Sequence, residues 1–382
     1  MHRSSMTQEL WRLRFGSDAP IAPNDDGTRV PSQARVSVRY DMLRDLSLRS
    51  RYESAFGTMR LGVLLEDMDA LAGSVAWRHA AEPDTPAPML VTASVEEIQV
   101  HRPLPLDGDY KCTGEVVWAG TSSLVIIVEM VLSGDVVVKG IFTYVARKRD
   151  GSGAAKVFPL VPETEEEKLR FQEIDEKQKA LKEKRIASKQ NMNSKNDSDD
   201  DDQRKRKLID SLLDASRRNR DFPGLVEDGL VAMSQTRLLS AQMCHPQDRN
   251  TAGNVFGGVL LRRALEHAFA TAFTFAGKEP RMAAIQRVDF LKPVHVGSLL
   301  ALSSIITFTE NPPPGHTEAF VHVSVRASTW MPQTTTSILN NTFAFLFCID
   351  KPTRRLKQVF PNLRTEAELV VEAKPRYHNK TS

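Results

Sequence analysis

Two stretches of the chain repeat apolar residues at the three- and four-residue spacing of a helix with one greasy face: LGVLLEDMDALAGSVAW at 61–77 and GGVLLRRALEHAFATAFTF at 257–275. In the first, Leu61, Leu64, Leu65, Met68, Leu71, Ala72, Val75 and Ala76 share a face; in the second, Leu261, Ala264, Leu265, Ala268, Phe269, Ala272 and Phe275 do. Segments rich in β-branched residues follow each one, such as SLVIIVEMVL at 123–132 and SSIITF at 303–308, and these read as strands. A helix with a continuous apolar face beside an antiparallel sheet predicts a sheet that wraps the helix.

The two halves present the same landmarks in the same order: GVLL, then a basic residue before proline, then strands. Gly62 and Gly258 are 258 − 62 = 196 positions apart, and Pro103 and Pro293 are 293 − 103 = 190 apart. Offsets this close at separate landmarks predict a duplicated domain. Between the halves, 163–207 is almost empty of large apolar residues and cannot offset its ordering entropy by burial, so it reads as a charged helix running into a disordered tract. The RKRK at 204–207, set against DDDD at 199–202, reads as a self-neutralising linker in preference to a nucleic-acid contact. The expected organisation is an N-terminal extension at 1–35, a first domain at 36–160, the linker at 161–225, a second domain at 226–365 and a tail at 366–382.

Charge and cysteines narrow the class. A net charge of +3 is too small to argue for nucleic acid or a membrane surface. No stretch approaches the run of apolar residues that spans a bilayer. Cys112, Cys244 and Cys348 lie far apart and match neither a disulfide framework nor a zinc site, as expected of a reducing compartment. The first residues, MHRSSMTQELWRLRFGS, have the basic, amphipathic character of a mitochondrial transit peptide, with an ordinary solvated helix as the alternative.

The chemistry concentrates where the second helix begins, in NTAGNVFGGVLL at 250–261. The first backbone N–H groups of a helix have no intrahelical partner and sit at the positive end of the dipole. Glycines there admit another group close to the backbone. Gly257 and Gly258 thus present donors suited to polarising a carbonyl and holding its oxyanion; otherwise they simply make a tight turn into the helix.

The order of elements, with DRNTAGNVFGG opening the second helix, resembles the hotdog-fold acyl-coenzyme A thioesterases, and the tandem arrangement resembles the eukaryotic double-hotdog enzymes. The charged insert and EDMDALAG are most similar to the mitochondrial two-domain branch, and the resemblance spans about residues 40–150 and 230–350. It implies an α+β fold of tandem hotdog domains, and hydrolysis of fatty acyl-coenzyme A by water without cofactor or metal. It further implies assembly into a homo-oligomer, a trimer of double-hotdog chains being one form, in the mitochondrion or otherwise the cytoplasm. The family pairs an asparagine before the glycines with an acid on the facing helix; Asn250, eight before Gly258, and Asp69, seven after Gly62, match them across the two repeats. In the reverse pairing Ser54 and Leu265 occupy those places, and Glu266 lies about 100° further round the helix. One working site per pair of domains is therefore expected.

Asp69 borders the apolar stripe on a helical wheel, whereas Glu66 and Asp67 fall on the polar side. A carboxylate beside buried surface is costly without a partner or a task. Thr92 and Ser94 stand where related enzymes place a hydroxyl that holds the water, although strand hydroxyls are commonly just packed. Arg102 and Lys292 precede the matching prolines and are candidates for coenzyme A phosphates, against an ordinary role as exposed loop charges. His245, His267 and His295 have no ligand spacing. Two other readings use the same fold: a hydratase or dehydratase, which needs a histidine where neither repeat offers one, and an acyl-coenzyme A sensor without a base.

Overall fold

The computed structural model describes residues 6–10, 21–191, 199–250, 252–286 and 288–378. In the first repeat, helix α1 (Leu61–Ala80) lies against strands β1 (Val36–Tyr40), β2 (Met89–Val100), β3 (Tyr110–Ala119), β4 (Ser123–Leu132) and β5 (Asp135–Arg147). Two charged helices follow, α2 (Glu165–Asn191) and α3 (Asp199–Ala215). The second repeat holds β6 (Leu230–Ala232), β7 (Leu238–Met243), α4 (Gly257–Ala276), β8 (Arg281–Ile285), β9 (Val288–Asp289), β10 (Leu299–Glu310), β11 (Glu318–Met331) and β12 (Thr336–Asp350). Strand β13 (Gln358–Phe360), parallel to β6, and helix α5 (Arg364–His378) close it.

One sheet runs through both repeats in the order β1-β3-β4-β5-β2-β8-β12-β11-β10-β7. Its two halves have the same internal order, with β1, β3, β4, β5 and β2 answering β7, β10, β11, β12 and β8. They join where β2 pairs antiparallel with β8, at Ile98 opposite Ile285, and with β9, at Ser94 opposite Asp289. Antiparallel pairing at the join leaves the halves related by an approximate twofold, and it brings α1 and α4 into contact. Each half is a hotdog: a long helix wrapped by an antiparallel sheet.

Glycine permits the close approach of the two helices. A Cβ on Gly258 would lie 3.0 Å from the Glu66 Cα and 3.1 Å from its carbonyl oxygen; one on Gly62 would lie 3.1 Å from the Glu266 carboxylate. Where α4 ends, Gly277 takes the left-handed conformation (φ 67°) and donates its N–H to the Phe273 carbonyl, the usual reason for glycine at such an end.

The expected disordered tract is corrected from Asp199 onward. Residues 199–215 are helical, while 192–198 lie outside the described residues. The apolar residues beyond Lys207 supply a face to bury. Ile209 is buried, and Leu212 packs with Met233 and Val370. Helix α2 lies on the first sheet, with Ile174 among Val117, Val125 and Ile127, and Asp175 accepting the Trp118 indole N–H at 2.9 Å. Most of the stretch that reads as a leader lies outside the described residues. Of it, 6–10 is helical and Leu10 is fully buried.

Candidate active site

The loop before α4 closes on itself through Asn250. Its Oδ1 accepts the N–H of Ala252 at 2.9 Å and of Asn254 at 3.1 Å, and its backbone N–H donates to the Asn254 carbonyl. This turn delivers Phe256 to the residue before the helix, where its carbonyl accepts the first intrahelical bonds, from Val259 and Leu260. Gly257 and Gly258, ahead of those donors, keep their N–H groups out of the ladder. Ser54 builds the same loop in the first repeat, its Oγ accepting from the N–H groups of Phe56 and Thr58.

Those glycines meet Asp69 of the other repeat. A Cβ on Gly257 would stand 3.2 Å from Asp69 Oδ2, 3.3 Å from the Phe290 ring and 3.5 Å from Thr92 Oγ1. Asp69 Oδ1 accepts from Thr92 Oγ1 at 3.0 Å and from the Tyr144 hydroxyl at 2.8 Å, and that hydroxyl also reaches the Asp69 carbonyl at 2.7 Å. The side chain is 1% exposed. Burial raises its pKa from the ordinary 3.8 to about 6, opposed by the bonds from Tyr144 and Thr92 and by the Gly258 N–H. The last of these is no formed hydrogen bond: Oδ2 is buried without one among the described residues.

The helical wheel misplaces two neighbours. Glu66 and Asp67, expected on the polar side, are each 1% exposed, because α1 is enclosed by its sheet, by α4 and by the N-terminal segment. Both have partners there. Asp67 accepts hydroxyls from Thr7 (2.7 Å), Tyr40 (3.2 Å) and Tyr52, and Glu66 pairs with Arg262 at 3.0 Å. Of the three buried carboxylates, Asp69 is the one that turns an oxygen toward the glycines.

A thioesterase superfamily model matches residues 56–139. The chain is 34% identical to acyl-coenzyme A thioesterase 2, chloroplastic, from Humulus lupulus, over 97% of its own length and 88% of that protein's. It is 32% identical to the mitochondrial acyl-coenzyme A thioesterase 9 of Homo sapiens, over 94% and 81%. The chain belongs to the acyl-coenzyme A thioesterases. Its relatives in that family include mitochondrial, chloroplastic and cytosolic proteins. Among solved structures, an acyl-CoA hydrolase from Staphylococcus aureus is 24% identical and covers 40% of this chain and 90% of its own, with TM-score 0.35. A putative oleoyl thioesterase from Lactobacillus plantarum is 9% identical, covering 82% and 95%, with TM-score 0.45.

The two cross-repeat arrangements differ. Counting back 196 positions, Leu61 answers Gly257 and Leu265 answers Asp69, so the second site meets apolar side chains on both sides. Phe56, from the Ser54 loop, packs on Phe269 and Phe273 of α4, with ring centroids 5.8 and 5.7 Å away. Glu266 bonds Arg60 and Arg262.

The remaining sequence candidates separate. Thr92 joins Asp69, but Ser94 does not. A bulge at Ala93, where Thr92 faces Tyr144 and Ser94 faces the adjacent Thr143, turns Ser94 away, and its hydroxyl donates to Glu96 at 2.8 Å. Arg102 is held by the Leu132 carbonyl and Asp135 at the β4–β5 turn. Lys292 is exposed two residues past Phe290, the residue that stands against Gly257. Asn250 shares no hydrogen bond with Asp69; among the described residues its Nδ2 makes none. His267 bonds Ser240 and the Leu238 carbonyl, and His295 bonds Asn254. Tyr144 and Phe290 escape a reading of the sequence, since only tertiary pairing brings either to α1 or to Gly257.

Proposed function

We propose that the protein hydrolyses fatty acyl-coenzyme A to free fatty acid and coenzyme A at the single site between Asp69 and the start of α4. One observation carries this: a buried carboxylate has one oxygen with no hydrogen bond among the described residues and turns it to a helix start whose N–H groups lie outside the ladder. A carboxylate with a pKa of about 6 is ionised at neutral pH yet a better base than an exposed one. Asp69 takes a proton from water as the oxygen attacks the thioester carbonyl. The developing oxyanion is held by the N–H groups of Gly257 and Gly258. Collapse breaks the C–S bond, and the departing thiolate takes the proton back from Asp69.

Thr92 and Tyr144 hold Oδ1, which aims Oδ2 at the water. Asn250 has an Nδ2 without a hydrogen bond among the described residues, and a loop to maintain. The substrate class rests on the relatives, named as acyl-coenzyme A thioesterases along most of their length. A hydratase reading has less support, because His267 and His295 are engaged away from Asp69.

Steady-state release of thiol from a panel of acyl-coenzyme A substrates tests this, comparing wild type with Asp69→Asn and Glu266→Gln. Turnover lost in the first and kept in the second supports the assignment. Loss in Glu266→Gln with activity kept in Asp69→Asn refutes the site, and no release by wild type refutes the activity. We also assign the protein to the mitochondrion, by likeness to its mitochondrial relatives, and to a homo-oligomer, for which exposed Leu291, Trp330 and Ile338 offer apolar surface. Imaging of a tagged chain and light scattering check the two.

A further inference from the structure

At the outer edge of the second repeat a serine hydroxyl meets an imidazole. Strand β7 ends the sheet order, so one of its edges has no strand partner among the described residues, and Ser240 on it is exposed. Its Oγ lies 3.3 Å from Nδ1 of His267, which α4 holds against the strand at only 8% exposure. The other ring nitrogen, Nε2, lies 3.2 Å from the Leu238 carbonyl. A carbonyl only accepts, so Nε2 carries the ring hydrogen, and Nδ1 of the neutral imidazole is the acceptor. Ser240 therefore donates its hydroxyl to Nδ1. Burial lowers the pKa of His267, against the Leu238 bond that raises it, and so favours the neutral ring.

The first repeat shows what folding alone requires at this place. Counting by the repeat offset, His267 answers Leu71, since 267 − 71 = 196. Ser240 pairs with Leu302 as Val38 pairs with Cys112, and 302 − 112 = 190, the offset of the two prolines. Leu71 and Val38 are both buried, so an apolar pair closes helix against edge strand there. The polarity of the second repeat continues inward, where Thr271 Oγ1 lies 2.6 Å from Ser304 Oγ at the places that Val75 and Gly114 hold in the first. Packing thus does not call for a histidine at 267, and burying one costs free energy unless it is bonded or has a task. Its bonds are those of a held base: one nitrogen fixed by a carbonyl, the other turned to an exposed hydroxyl.

We propose that Ser240 is a nucleophilic serine, with His267 as its base, and that it accepts the acyl group of an activated ester or thioester. Oγ bonds to the carbonyl carbon while its proton passes to Nδ1. The C–O or C–S bond of the donor then breaks, and the leaving oxygen or sulfur takes the proton from Nδ1, which returns the imidazole to its neutral form. The product is an O-acylserine on the edge strand. His267 stands 267 − 257 = 10 residues along α4 from Gly257, about 15 Å at the helical rise. The step uses neither Asp69 nor the glycines, and it leaves the acyl group on the chain instead of passing it to water.

The test treats wild type, Ser240→Ala and His267→Gln with p-nitrophenyl acetate, and separately with a fluorophosphonate, which forms a stable Oγ–P bond with loss of fluoride. Peptide masses after an acid quench map the adducts. The expected result is an acetyl ester and a phosphonyl group on Ser240 in wild type, neither at that position in Ser240→Ala, and labelling about 100-fold or more slower in His267→Gln. Thiol release from acyl-coenzyme A should be the same in all three. Thermal melts show whether His267→Gln is folded, and the mapping in wild type and in the exposed Ser240→Ala decides the nucleophile without it. Ser240 unmodified by both reagents, or modified as fast in a folded His267→Gln as in wild type, overturns the proposal. Phosphonylation without acetylation overturns the acyl step.

Discussion

Arg262 lies 3.0 Å from Glu66, and the two are 196 positions apart, the same offset that relates Gly62 to Gly258. Each residue thus meets its own counterpart in the other repeat, and the ion pair sits on the approximate twofold between α1 and α4. An identical pair of residues would have set like charges together there; divergence of the repeats allowed opposite ones. Glu66 is 1% exposed, so removing Arg262 strands a buried charge. Arg262→Leu should lower unfolding free energy by about 3–5 kcal/mol, and adding Glu66→Leu should recover most of it. Urea melts of the four members of the cycle measure this; additive losses would remove the coupling.

The adjacent glycines should respond differently to a methyl group. On Gly258 it would press on the Glu66 backbone, which cannot swing aside, so Gly258→Ala should cost about 1–3 kcal/mol of stability. On Gly257 it meets the Asp69 carboxylate, the Phe290 ring and the Thr92 hydroxyl, all side-chain atoms. Gly257→Ala should leave the melting temperature nearly unchanged and depress kcat, since it intrudes on the place proposed for water and carbonyl. Thermal melts beside turnover separate the two.

Asp69→Asn should reduce kcat by about 100-fold or more, as for loss of a general base, and should also stabilise the fold. The folded pKa of about 6 exceeds the ordinary 3.8, so the folded chain binds the extra proton between these values. The stability from that proton is full below 3.8 and is lost as pH rises through 6. At neutral pH the buried charge then costs up to about 3 kcal/mol, which the amide avoids. A variant that is dead and melts no higher than wild type at pH 7.5 would contradict the assigned environment.

The same carboxylate should set the acid limb of the rate profile, with kcat/KM falling about tenfold per unit below pH 6. The Tyr144 hydroxyl lowers that pKa. Tyr144→Phe should therefore move the limb to higher pH, and a pH profile of the variant reads the shift.

Asn250 holds its loop and, in the proposed reaction, offers its amide nitrogen, and Ser54 shows how to separate the two. Because serine makes the equivalent turn in the first repeat, Asn250→Ser should keep the loop and the melting temperature while deleting Nδ2. Activity reduced about tenfold or more at unchanged stability would assign the amide nitrogen to the reaction; full activity would leave Asn250 only its turn.

Local order decided how much could be read in advance. Helical periodicity places Leu61–Ala80 and Gly257–Ala276 because burial selects residues every three or four positions, and duplication shows as a repeated offset. The glycines at 257 and 258 mark the helix start for the same local reason. Tertiary structure decided the rest. A wheel cannot rank Glu66, Asp67 and Asp69, since α1 is enclosed on nearly every side and each carboxylate answers to a different distant partner: Arg262, a cluster of hydroxyls, and the opening of α4. The bulge at Ala93 separates Thr92 from Ser94, although their spacing promised a common face. Tyr144 reaches Asp69 from 75 positions away. The repeat, the helices and a short list of groups able to do chemistry are legible along the chain, because these follow from near neighbours. Only the paired fold, by setting one repeat's helix start against the other's carboxylate, decided which of them stand together, and burial there gives Asp69 its raised pKa.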